Sequence, residues 1–550
     1  MMRSGGSGRF HAGVSLLAFA VLGLFLLYPL WLVLRSSVQD DAGGFSFAAY
    51  AQILSSRYYL GSLGNSLVAG AMSMVLASAV GVPLAFCLAR LPVPGKPLLQ
   101  ALASVPMVLP SFVGAYALVL LFGRAGIVTV ALRAVGIAVG PIYGMAGIVA
   151  VFTLTLYPYV LLPTLAGFRA VDASMEEAAR NLGASRWRAF RTVLLPIVAP
   201  SVLAGALLVF IEALENYGVP AVLAEDRPFL ALDIFKLFAG ESDPNAAAAG
   251  ARSGLLVGCT AAVLLLQRAY LARRRFATHT RRAAPPIPAG RGWRLLATAF
   301  CWGVVLLSLL PFAAVVVISF QHFQGPVLSW QPGLGNYRNL LKGSYRPLAN
   351  TLVLASLAAA AATALGAPLG YVLARQRGRL SALLGVVATA PFAVSGTVLG
   401  IGLVIAFNSG WLVLTGGWLI LVVAYAVRKL PLSVRSASAV VHQIDPSLEE
   451  ASINLGVSPA RTFLTLTLPL MLGGLAGGTV LVWVAATAEI SSTIVLYSSR
   501  WSTMTVLMLH SLEGTAPGEA AAAASILILF TTAPLLLAYR LLRRHGGSPL

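Results

Sequence analysis

Eighteen acidic side chains are spread thinly over 550 residues, yet six of them fall in two stretches that share one spacing. These are Asp172, Glu176 and Glu177 in the first stretch and Asp445, Glu449 and Glu450 in the second. Each stretch reads glutamate, alanine and a small residue, then three residues, a glycine, nine residues, an aliphatic, one residue, and Leu-Pro. The first copy is Glu177-Ala178-Ala179, Gly183, Val193 and Leu195-Pro196; the second is Glu450-Ala451-Ser452, Gly456, Leu466 and Leu468-Pro469. Asp172 and Asp445 suit the N-cap of a short helix, with Pro446 at the first helical position of the second copy. Gly183 and Gly456 suit its end, where a left-handed backbone disfavours residues with a β-carbon. The small residues behind each glutamate let another protein approach closely, and Pro196 and Pro469 restart the next apolar segment. This is the chemistry of docking. Covalent catalysis has no comparable pattern: the six histidines, at 11, 279, 322, 442, 510 and 545, are scattered, and no G-x-x-x-x-G-K-[ST] occurs. Cys87, Cys259 and Cys301 sit in apolar stretches at spacings that match no zinc or redox motif, and read as small hydrophobes.

The elements that must position these stretches are membrane helices. The chain is 58% hydrophobic and 10% charged, against roughly 25% charged in soluble domains, which excludes a water-soluble fold. Apolar runs predict twelve spans, at 14–34, 63–89, 98–122, 143–166, 196–214, 252–270, 295–319, 348–374, 382–407, 411–430, 467–488 and 520–541. The first run is too long for a signal peptide and no small-residue cleavage site follows it. A basic, proline-rich stretch at 273–294 reads as a linker between a first half, 1–272, and a second, 295–550. The halves are copies: NSLVAGAMSMVLASAVGVPLAFCLAR from Asn65 to Arg90 aligns with NTLVLASLAAAAATALGAPLGYVLAR from Asn350 to Arg375 at an offset of 285, and the acidic stretches align at 273. The fold class is therefore an all-α polytopic membrane protein of two homologous six-helix bundles, with any pathway expected at the interface of the repeats. With both termini cytoplasmic, the cytoplasmic segments hold 27 of the 38 Lys and Arg and six of the acids, so that side nets +21 and the rest −1. The positive-inside rule is met. The net charge of +20 then states a topology beside anionic lipid, and needs no nucleic-acid partner.

The repeated stretch resembles the EAA motif of bacterial ABC importer permeases, and its two full-length copies resemble the fused, type I form in which one chain supplies what is often a dimer. The resemblance implies an inner-membrane permease whose loops carry coupling helices. It implies as partners two copies of a cytoplasmic ATP-binding subunit, which would hold the ATP and Mg, and a periplasmic solute-binding protein. No cofactor is implied on this chain, nor any enzymatic step. The coupling set it implies is Glu176, Glu177, Ala178, Ala179, Gly183 and Pro196, with Glu449, Glu450, Ala451, Ser452, Gly456 and Pro469 in the second copy. An ion-coupled secondary transporter is the alternative of a different class; it would need buried acids or cations as relays, and few are present.

For the solute, the ends of spans 5 and 11 read EALENYGVPAVLAED and ATAEISSTIVLYSS. Glu215, Tyr217, Glu489 and Tyr497 are candidates for the pathway, since hard cations favour carboxylate and phenolate oxygen. The bland alternative is that Glu215 and Glu489 only exit helices at a wet boundary. Length and these segments are most similar to ferric-iron permeases, with thiamine, aminoethylphosphonate and polyamine permeases as alternatives. No fixed metal site is expected.

Overall fold

A computed structural model describes residues 4–39, 44–138, 140, 142–240, 246–273, 290–324, 327–343, 345–376, 378–513 and 516–544. Most of the expected linker, 274–289, and His279 and His545 lie outside the described residues. Among the described residues nine helices are long and apolar enough to cross a membrane, and a tenth crossing is formed if the bent pair Arg379–Ala393 and Gly396–Phe407 counts as one.

Three expected spans differ in form. The span expected at 98–122 is two helices, Lys96–Val108 and Ser111–Phe122, parted at Leu109 and Pro110. A proline pushes the residue before it out of the helical region, and Leu109 is extended at φ −76°, ψ 142°. The span expected at 382–407 breaks at Val394 and Ser395 with a bend of 104°. The span expected at 411–430 is the helix Trp418–Val441, so Arg428, Lys429 and Arg435 lie within a helix rather than at its edge or in a loop. A short antiparallel hairpin, Gln321–Gln324 with Val327–Pro332, departs from the all-α pattern.

The chain forms two compact units, one of 51–233 and 255–336, the other of 1–50, 234–254 and 337–550. In the first, the helices Arg57–Arg90, Met145–Ala170 and Leu195–Leu214 pack together. Gly81 permits the close crossing of the first two, because a β-carbon there would lie 3.1 Å from the Tyr157 carbonyl oxygen. Against this core lies the helix Arg291–Ser319, where Ser308 Oγ is 3.2 Å from Tyr157 Oη. In the second unit the helices Arg346–Arg375, Trp418–Val441 and Leu468–Thr487 repeat the arrangement. Gly366, 285 residues after Gly81, meets Ser433 in the same way. Here the added helix is the N-terminal one, whose Pro29 packs on Gly402 and whose Phe25 ring is 5.6 Å from Phe407. The compact units thus cut across the sequence halves 1–272 and 295–550. Each keeps its half's core and takes its leading helix from the other half.

Residues that coincide in the repeat hold the same posts in both units. Asn65 Nδ2 donates to the Pro228 carbonyl at 3.0 Å, and Asn350 Nδ2 to those of Arg500 and Ser502 at 3.0 and 2.9 Å. The next residues, Ser66 and Thr351, accept from the amides of Leu230 and Met504, both at 2.9 Å. Each pair fastens the start of a long span to a distant turn whose backbone groups would otherwise be unpaired.

Candidate functional site

The two acidic stretches fold into matched helices, Ala173–Asn181 and Pro446–Asn454. Asp172 and Asp445 cap them, each carboxylate accepting the amide two residues on, from Ser174 and Ser447, at 2.9 Å. This holds the Asp445 carboxyl below its ordinary range, through the Ser447 amide first and its hydroxyl second. Gly183 and Gly456 end the helices at φ 86° and 88°. The amides after them reach back five residues, Ala184 to the Ala179 carbonyl at 3.0 Å and Val457 to that of Ser452 at 3.2 Å, closing a glycine-dependent terminal loop. A five-residue π-turn follows in each copy, Phe190–Leu194 and Phe463–Thr467, and leads into the helix that carries Pro196 or Pro469.

Within each short helix the two glutamates part company. Glu177 and Glu450 are exposed, as are Ala178 and Ala451. The same short segments also expose the apolar side chains Met175 and Leu182 in one copy and Leu448 and Leu455 in the other, with Leu182 88% and Leu455 84% accessible. An element that exposes both an acid and bare aliphatic groups is suited to a partner that supplies a cation and apolar contact. Ala179 and Ser452 are half-buried, and Ser452 Oγ lies 2.9 Å from Thr462 Oγ1. A groove of about 530 Å³ runs along the first copy past Glu177, Arg180, Gly183 and Ser185. Glu176 and Glu449 instead turn inward and pair with Arg90 and Arg375, the arginines that close the repeated long spans.

At the far ends of the spans that follow these loops, Glu215 and Tyr217 are buried where Leu195–Leu214 stops. Glu489, also buried, pairs with Arg428 and with Lys429, the latter at 2.7 Å, and accepts the Ser492 amide at 3.3 Å. Tyr497 is half-buried, its hydroxyl 3.4 Å from His510 Nε2. Arg428 and Lys429 escape a reading of the sequence because the hydropathy drop they cause ends the predicted span. Two adjacent cations so close to an apolar run are the signal that marks them. Among the described residues no group of three or more His, Cys, Asp and Glu side chains is placed to hold a metal.

Comparison with known proteins agrees with this geometry. The family described as the binding-protein-dependent transport system inner membrane component matches residues 81–276 and again 366–546, each segment containing one acidic loop. The ferric transport system permease protein FbpB of Actinobacillus pleuropneumoniae is 26% identical over 541 residues, which cover 96% of this chain and 78% of that one. A putative ferric transport system permease protein, FbpB 1 of Haemophilus influenzae, is 27% identical over 486 residues, with 86% and 76% covered. The probable ABC transporter permease protein y4fN of Sinorhizobium fredii is 27% identical over 556 residues, with 96% of each chain covered. A family segment present twice, in a predominantly helical polytopic chain with a matched acidic helix in each copy, places this protein among the inner-membrane permeases of binding-protein-dependent ABC importers.

Proposed function

We propose that the chain is the membrane channel of a ferric-iron importer. A periplasmic binding protein delivers the solute, and two copies of a separate cytoplasmic subunit, holding ATP and Mg, dock on the helices Ala173–Asn181 and Pro446–Asn454. Both termini and both docking helices then face the cytoplasm, in keeping with the distribution of basic residues. The observation that carries the docking role is a short helical segment that exposes a glutamate together with bare aliphatic side chains, repeated in both loops. Similarity to ferric permeases along 96% of the chain supports iron as the solute. Glu177 and Glu450 meet basic groups of the ATPases, while Gly183, Gly456, Pro196 and Pro469 set the angle of each docking helix.

Reversing charge at Glu177 and Glu450 together is expected to lower uptake at least tenfold and to abolish solute-stimulated ATP hydrolysis while membrane insertion persists. Normal stimulated hydrolysis in that variant would overturn the docking role, and uptake by the purified chain without ATPases would favour an ion-coupled transporter. The solute is tested separately, by thermal stabilisation of the cognate binding protein against ferric ion, thiamine, aminoethylphosphonate and polyamines. Ferric ion is expected to raise its melting point. A rise with one of the others instead would replace iron.

Glu215, Tyr217, Glu489 and Tyr497 are assigned to the pathway walls. With Glu489 already engaged by Arg428 and Lys429, a passing cation meets its carboxylate only when that cluster opens.

A further inference from the structure

The inward glutamates have a different task from the exposed ones. Along the chain, the helix Ala173–Asn181 is joined to Met145–Ala170 before it and Leu195–Leu214 after it. Through Arg90 it is also joined to the end of Arg57–Arg90, a helix 86 residues earlier. Arg90 is buried and Glu176 half-buried, with side chains 4% and 16% exposed. The second copy repeats the connection: Arg375, the last residue of Arg346–Arg375, holds Glu449 at 3.0 Å, with side chains 15% and 9% exposed. Opening either pair would strand a charge in a poorly solvated site, which is strongly disfavoured. Each tie therefore stays closed while the docking helix moves.

The two ties are not equally strong. Glu449 also accepts from Tyr371 Oη at 3.1 Å and from Thr467 Oγ1 at 3.4 Å, and Arg375 Nη2 also donates to the Ile444 carbonyl at 2.9 Å. The Tyr371 ring is braced in turn by Phe463, 5.0 Å away, and by Phe10 of the N-terminal helix, 6.2 Å away. In the first copy, phenylalanine and leucine stand at the equivalent positions, Phe86 and Leu194. Neither can donate to Glu176, and the Arg90 atoms Nε and Nη1 are buried with no hydrogen-bond partner among the described residues.

We propose that Glu176 with Arg90 and Glu449 with Arg375 are positioning pairs that lock each docking helix to a third membrane helix, and that the second lock is stiff and the first compliant. ATPase movement is then delivered to Arg346–Arg375, Trp418–Val441 and Leu468–Thr487 as one body, and less completely to their counterparts in the first copy. This inference rests on the docking reading above.

The test uses the full importer complex in proteoliposomes and reads solute moved per ATP hydrolysed, together with retention of the ATPase subunits on purification. Arg375→Met is expected to lower solute per ATP about tenfold and Arg90→Met about threefold, with the ATPase subunits retained in both. Tyr371→Phe with Thr467→Val, which removes only hydroxyls, is expected to bring the loss at the second lock down to the level of the first. Phe86→Tyr with Leu194→Thr should raise coupling in an otherwise unchanged chain. Unchanged solute per ATP in both arginine variants would overturn the proposal. So would loss of the ATPase subunits, which would make the pairs part of the docking surface itself. If Arg375→Met does not fold, the hydroxyl variant decides, and unchanged coupling there overturns the stiff second lock. Failure of the docking reading appears elsewhere, as normal uptake when Glu177 and Glu450 are reversed.

Discussion

Single side chains set the form of the two acidic helices, and their contributions separate by what each leaves behind when removed. Asp445 is an exposed cap whose carboxyl sits below its ordinary range because the Ser447 amide and then its hydroxyl donate to it. A folded pKa below the unfolded one means that the contribution is complete above the ordinary aspartate value of about 4 and is lost as pH falls through the lower folded value. The second acidic helix should therefore keep its cap at neutral pH and fray only in acid. Asp445→Ala should fray it at every pH, because the Ser447 amide loses its acceptor, seen as faster amide exchange across Pro446–Asn454. Glu489 is the opposite case, because it is buried between Arg428 and Lys429. Glu489→Ala leaves two partly buried cations, 11% and 18% exposed, without that counter-charge and should destabilise the chain by up to roughly 3 kcal/mol. Removing a cation with it, as Glu489→Gln and Lys429→Met together, should recover much of the loss. If uptake returns with stability in the double variant, Glu489 is a structural counter-ion; if stability returns and uptake does not, its carboxylate belongs to the pathway.

At the scale of elements, the π-turns Phe190–Leu194 and Phe463–Thr467 accommodate the proline that follows each acidic loop. Pro196 and Pro469 have no amide hydrogen, and their rings would strike the carbonyl four residues back in a regular helix. The wider turn relieves this, with the Leu195 and Leu468 amides reaching back five residues to Phe190 and Phe463. Inserting or removing one residue per turn rotates what precedes it by about 100°, so the turn sets the direction each acidic helix faces. Pro196→Ala with Pro469→Ala should let the regular helix form, holding or raising thermal stability while lowering uptake at least fivefold. Unchanged uptake would show that the turn does not aim the helix. The prolines, capping aspartates and terminal glycines are legible in the sequence because each acts on backbone within a few residues. The break at Leu109 is equally legible, since Pro110 announces it. By contrast, the length of Trp418–Val441 is hidden: Arg428 and Lys429 look like the end of a span until Glu489, some sixty residues on, is seen to neutralise charge there. Arg90 and Arg375 are visible as repeat markers, but their glutamate partners are not, because the pairing is made by helix packing rather than by local chain.

For the whole molecule, the repeat tells where the halves are but not how they assemble, because the exchange of leading helices leaves no local mark. Helix Arg291–Ser319 completes the unit built on 51–233, and the N-terminal helix completes the one built on 337–550. The N-terminal helix brings Ala18, Leu22, Leu26 and Val33 to 1% exposure or less, so the second half loses a fully packed face without it. In a bilayer such a face is held by close packing rather than by removal from water, and its loss leaves the neighbouring side chains without those contacts. Deleting residues 1–36 should therefore expose 337–550 to protease while 51–233 stays protected, even though the deletion lies in the other half of the sequence. Chains divided within 274–289 should form a stable complex only when both pieces are made together, because each supplies a helix that the other's core requires. Equal protection of the separately expressed halves, or earlier loss of 51–233 on deleting 1–36, would show that the exchanged helices do not hold the units together.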